Sequence, residues 1–233
     1  MRYRQLDDSS IIRTLERLQT RIQERFPGSG LSGVAAELLA VGQETLDTVA
    51  YLKRPNWMIR VPAGLALLIM FGIPVVLLLK ANLPLQLVSL GDLVQLIDAG
   101  INDVVFLGIA IFFLLTVESR LKRKRALRTI HELRSLAHVV DMHQLTKDPE
   151  RLMSPAQNTT SSPERVMTAA ELGRYLDYCS ELLSVNSKLA ALLVQYFNDE
   201  VVLGAVNEIE DLTTGLSSKI WQKITLLDRA RPA

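Results

Sequence analysis

The side chains most suited to chemistry fall in four places along a chain of 233 residues. All three histidines, His131, His138 and His143, lie close together, with Asp141 one helical turn beyond His138. His138 and Asp141 are of types that bind a metal ion or relay a proton. Seven residues separate His131 from His138, however, which is ~10 Å along a helix axis and too far to share one ion unaided. His143 falls on another face, so packing and capping suit these residues better than a metal site. Cys179, the single cysteine, sits among Tyr175, Tyr178 and Leu183 with no base near it in sequence. It excludes an intramolecular disulfide, fits a reducing compartment, and reads as a buried structural thiol rather than a nucleophile.

The third place is a basic run, Arg120, Lys122, Arg123, Lys124, Arg125 and Arg128. Such a run can bind nucleic acid, but it follows directly on an apolar stretch. That position favours topology and anionic-lipid contact, at ~1 kcal/mol per basic residue near a membrane surface, and no nucleic-acid partner is expected. The fourth is Asp98, Asn102 and Asp103, which a symmetric assembly would turn into polar rings at the mouth of a pore. A phosphate-binding glycine loop, a dinucleotide turn, a nucleophile elbow and paired cysteine ligands are all missing from the sequence. No enzymatic activity and no cofactor are therefore expected.

The elements that hold these residues are apolar to an unusual degree, with 48% hydrophobic side chains in the whole chain. From Val61 to Leu79 about 19 uncharged residues cover roughly 28 Å, close to the hydrocarbon thickness of a bilayer. Pro62 suits the first turn of such a helix, whereas Pro74 predicts a kink inside it. A second run, Val104 to Val117, is about 14 residues and reaches spanning length only when extended back through Ala99. Lys53, Arg54 and Arg60 precede the first run and the six-residue basic cluster follows the second. Between 81 and 103 there is no Lys or Arg, and only Lys80 borders that connection. The bias places both termini in the cytoplasm, with Trp57 as an interfacial anchor. The connection itself, from Leu83 to Ile97, predicts a short helix on the outer membrane surface over Leu90–Ile97.

Helical periodicity governs the rest. Asp8, Ser9 and Ser10 offer caps for a helix with a stripe at Ile11, Leu15, Leu18 and Ile22. Pro27-Gly28-Ser29-Gly30 ends it, and Val34, Leu38, Val41, Thr45, Val49 and Leu52 form a second stripe, so a helical hairpin is expected. Beyond the second span a long helix should continue through Leu121, Leu127, Ile130, Leu133, Leu136, Val140 and Leu145 to Asp148-Pro149. A polar linker follows, in which Asn158-Thr159-Thr160 matches a glycosylation sequon that a cytoplasmic segment would never present for modification. Thr168 and Glu171 form a capping box for a helix with Leu172, Leu176, Cys179, Leu183, Leu189, Leu193 and Phe197 inside. Past Asn198-Asp199 the last stripe is Val202, Val206, Ile209, Leu212, Leu216, Ile220, Ile224 and Leu227. No stretch alternates with the period of a strand.

At His131–Asp148 (HELRSLAHVVDMHQLTKD) and Asn207–Lys223 (NEIEDLTTGLSSKIWQK) the sequence resembles uncharacterised bacterial membrane proteins. The likeness implies a bacterial inner-membrane setting and no particular chemistry. The expected fold is thus an all-α membrane protein, with a two-helix transmembrane hairpin and long cytoplasmic helices in a bundle or coiled-coil-like assembly. Its segments are an N-terminal hairpin (1–55), the transmembrane hairpin (56–119), a juxtamembrane helix (120–148), a linker (149–165) and a C-terminal hairpin (166–233). Apolar stripes left in water by single helices would drive self-association. The expected partners are the lipid bilayer, further copies of the chain, and a protein recruited by the cytoplasmic helices. The expected role is a membrane-anchored scaffold, with a subunit of a small oligomeric cation channel or transporter as the alternative.

Overall fold

The computed structural model describes residues 4–80, 90–149 and 167–229. Among these residues every regular element is a helix and no strand occurs. In chain order the helices are α1 (Asp8–Arg25), α2 (Gly30–Lys53), α3 (Trp57–Lys80), α4 (Leu90–Leu145), α5 (Ala169–Tyr196) and α6 (Glu200–Arg229). The chain divides into two compact units, Met1–Lys53 with Arg123–Ala233, and Arg54–Lys122.

The first unit is a bundle of α1, α2, the later part of α4, α5 and α6 around one hydrophobic cluster. Each stripe expected in α1 and α2 is buried, Leu15 and Ile22 completely. Removing one such leucine or isoleucine from water contributes ~1.5–3 kcal/mol. The two helices pair antiparallel because Gly28, at φ +68°, takes the left-handed turn that ends α1. Farther along, a Cβ at Gly42 would lie 3.1 Å from Ile12 Cδ1 and 3.3 Å from Leu15 Cδ2, so the missing side chain lets α1 approach closely. The residue before α1 is Asp7 rather than the expected Asp8, Ser9 or Ser10; its carboxylate accepts from the hydroxyls of Ser9 and Ser10 rather than from a helix N–H. At α5 the expected capping box is present, with Thr168 Oγ1 accepting from Glu171 N at 3.2 Å and Glu171 Oε2 accepting from Thr168 N at 2.8 Å.

Segments read separately from the sequence, at 1–55, 120–148 and 166–233, thus feed one core. Their apolar stripes are covered within a single chain, so the unsatisfied faces invoked for self-association are already partnered. Tyr175, Tyr178, Leu182 and Leu192 widen the buried face of α5 beyond the expected stripe, because α5 is packed by α1, α2 and α6. At the margins of the stripe in α4, Leu121 and Leu145 are exposed.

The second unit contains α3 and the first part of α4. Over Val104, Val105, Phe106, Ile109 and Phe112 the apolar side chains of α4 are exposed, Phe112 to 72%. By length and composition this helix is able to cross a membrane, and α3 carries a shorter apolar stretch, Arg60–Ile73. Helix α4 runs unbroken for 56 residues, ~84 Å at the usual rise. The separate surface helix expected over Leu90–Ile97 is therefore the start of α4 itself. Helix α3 likewise continues across Pro74 to Lys80. Residues 81–89, part of the connection expected on the outer surface, and the sequon at Asn158 in the expected linker lie outside the described residues.

Candidate functional site

The histidines do not assemble a ligand set. Among the described residues no group of three or more His, Cys, Asp or Glu side chains could hold a metal ion. His131 and His138 are exposed, while the ring of His143 packs against Gly30 at the start of α2. Asp141 Oδ1 accepts from Gln144 Nε2 at 2.6 Å, one turn onward along α4 rather than back toward His138. Cys179 is completely buried, and burial pushes its thiol up to about 12. A thiol so placed stays protonated at neutral pH and packs rather than attacks.

Asp98, Asn102 and Asp103 are exposed on the first part of α4. Asp98 and Asn102 lie one turn apart, but Asp103 is turned roughly 140° from Asp98 at 100° per residue. One copy therefore does not gather the two carboxylates on one side.

The basic run separates into members with partners and members without. In the second unit Glu118, one residue past the apolar run, is 6% exposed. It accepts from Arg60 Nε at 2.9 Å and from the Asn56 backbone N–H at 3.2 Å, and Lys122 Nζ lies 3.2 Å away. This knot ties the start of α3 to α4.

In the bundle, Arg123 Nε and a terminal guanidinium nitrogen donate to Asp199 Oδ2 at 2.9 and 2.7 Å. The other oxygen of Asp199 accepts from the N–H groups of Val201 and Val202 at 3.1 and 3.2 Å, capping α6. Burial alone would raise the Asp199 carboxyl, but Arg123 and these N–H groups outweigh it and hold it below its ordinary value. Arg125 stacks 4.7 Å from the Tyr51 ring, and Lys53 lies 3.9 Å over Tyr196 and 3.4 Å from Asp8. One end of the bundle is thus clamped where α2 and α5 finish and α1 and α6 begin, with Lys53 favourably placed at the C-terminus of α2. Arg120, Lys124 and Arg128 remain exposed with no ion pair among the described residues. They form one stripe, since four-residue steps drift only about 40° per step.

No family model, curated protein or solved structure matches the chain. Sequence reading missed Glu118, Asp199 and the tyrosines under Arg125 and Lys53. Glu118 left a signal as a lone acid between an apolar run and six bases, and Asp199 stood out as part of a helix boundary.

Proposed function

We propose that the chain is a two-span bacterial inner-membrane protein whose bundle, on the cytoplasmic side, is a scaffold that self-associates and recruits protein partners. The observation that carries this reading is the contrast in burial along α4. Its first part leaves large apolar side chains uncovered, whereas its later part joins a closed hydrophobic core. Uncovered phenylalanines and valines on such a scale require a non-aqueous surrounding or a partner. Helix α3 has 24 residues, ~36 Å, enough to be the companion span. The basic residues flanking both helices and the lack of Lys or Arg between 81 and 103 favour cytoplasmic ends. Arg120, Lys124 and Arg128 are the members of the basic run available to anionic headgroups.

Site-directed cysteines test the topology. A membrane-impermeant maleimide should label Ser89→Cys in intact cells and reach Ser9→Cys and Ser217→Cys only after permeabilisation. Labelling of both ends from outside would overturn the orientation. The cation-channel alternative draws less support, because Asp98 and Asp103 diverge around the helix. Cation flux in liposomes that collapsed in the Asp98→Asn/Asp103→Asn variant would reverse that preference.

A further inference from the structure

Within the bundle, α1 and α5 run antiparallel along a groove of about 390 Å³. A contact pins each end. At one, Gln195 Oε1 accepts from Leu6 N at 2.8 Å and Gln195 Nε2 donates to Leu6 O at 3.1 Å, which straps the segment before α1 onto α5. At the other, Arg21 donates to Glu181 Oε2 at 2.8 Å. Leu6, Ile11 and Val185 are among the apolar side chains lining the groove, and Ser184 and Lys188 stand exposed at its rim. The charges around it do not cancel. Glu181 is answered by Arg21, and the Asp7 carboxylate accepts from the hydroxyls of Ser9 and Ser10, with Arg13 at 4.0 Å. Lys188 has no acid. Its ammonium donates to Ser184 O and Oγ at 3.2 and 2.6 Å and makes no ion pair among the described residues. An ammonium has three protons, so one is left over, and Ser184 Oγ, which accepts from Lys188, keeps its own proton to donate. Two open donors and one unanswered positive charge therefore stand together beside apolar walls.

We propose that this groove binds a small carboxylate with an apolar alkyl body. The carboxylate sits on Lys188 Nζ and Ser184 Oγ, where one partner is charged and the hydrogen bonds are correspondingly strong. The body lies along Ile11 toward Leu6, beneath the strap that Gln195 holds. Lys188 is level with Thr14, midway between the two pinned ends, and from there to Leu6 is ~12 Å or more, room for a short chain. The volume stands at the lower end of the range for small-molecule sites. A cationic ligand would find both carboxylates at the rim already engaged and Lys188 repelling it. An alcohol of the same length would leave the ammonium charge unanswered. Since α1 and α5 both line the groove, an occupant ties them together and stabilises the bundle. The site belongs to the bundle alone and is independent of the membrane topology; it would give a scaffold a small-molecule input.

Thermal unfolding of the full-length protein in a nonionic detergent tests the site, with hexanoate as the probe. Hexanoate should raise the melting temperature saturably, by about 2–4 °C once the groove is filled. Acetate lacks the body, hexanol lacks the charge and hexylammonium carries the wrong one, so none of the three should raise it. Lys188→Gln removes the ammonium and should abolish most of the hexanoate shift. Ser184→Phe fills the groove from an exposed position and should abolish it as well, by bulk instead of charge. Each shift is measured against the same variant without hexanoate, so a change in a variant's own stability does not enter. No shift in the wild type, an equal shift with acetate, hexanol or hexylammonium, or a full hexanoate shift in both variants would overturn the proposal.

Discussion

The two halves of α4 use similar residues to opposite ends. Between Ala126 and Val140 the helix buries Ile130, Leu133 and Ala137 almost completely, with exposed Arg128, His131 and His138 on the other side. Between Val104 and Phe113 every residue is apolar or glycine, and most of the side chains are exposed, with Leu107 and Ala110 half-buried. A helix apolar on one stripe is built to pack against protein, and one apolar all round is built for a non-aqueous setting. The contrast shows that the distribution of apolar residues, more than their number, decides which solvent a helix is made for.

The comparison breaks most visibly if one charge is placed in the bundle core and another in the exposed part of α4. Leu216→Asp puts a carboxylate into the bundle core at a position 4% exposed, and should cost about 4 kcal/mol or more. Thermal denaturation followed by circular dichroism would show it, and Leu212→Asp, half-buried, should do less. Val105→Asp should leave that melting transition in place yet weaken membrane insertion by ~3 kcal/mol, measured as the fraction resisting carbonate extraction. An equal loss of bundle stability in both variants would erase the distinction between the halves.

A smaller effect is expected at the clamped end of the bundle. Asp199→Ala removes the cap of α6 and leaves Arg123 without its acid, for a loss of ~1–2 kcal/mol. The folded carboxyl lies below its ordinary 3.8, so its contribution is complete above that value. It fades as pH falls through the lower, folded value. Acid titration of the melting temperature should therefore show a steeper decline in the wild type than in Asp199→Asn. Parallel curves would remove Asp199 from the acid response.

The smallest change is expected to have the opposite sign. Asn186 is buried, and its Nδ2 donates to the Leu133 carbonyl at 3.0 Å while its Oδ1 has no partner among the described residues. Asn186→Leu removes that unsatisfied acceptor with a side chain of the same branching and should raise the melting temperature slightly. A clear fall would mean that the amide fixes how α4 and α5 pack.

Sequence periodicity made α1, α2 and α6 legible because each is a single amphipathic helix with one dry face. The stripe at Val34, Leu38, Thr45 and Leu52 is buried residue for residue. Periodicity reports that a face is dry without naming what dries it, so stripes assigned to neighbouring copies proved to be covered within the chain. The clamps were less visible, since Arg123 and Asp199 are 76 residues apart and Tyr51 and Arg125 are brought together only by packing. Asn198-Asp199 read as an interruption because a cap and a break use the same residue types.

The bundle is discontinuous in sequence: the chain leaves it after Lys53 and re-enters at Arg123. A chain with a free segment of this length would lose closure entropy before α2 could find α4, at a cost that grows with the logarithm of loop length. In the proposed two-span topology, insertion of α3 and α4 as a hairpin would draw those two ends together beforehand. The bilayer would then act on the unfolded ensemble much as a cross-link does, without a covalent bond. Bundle stability would become a property of the membrane as well as of the core, lower in detergent micelles than in lipid even though no core contact differs between them.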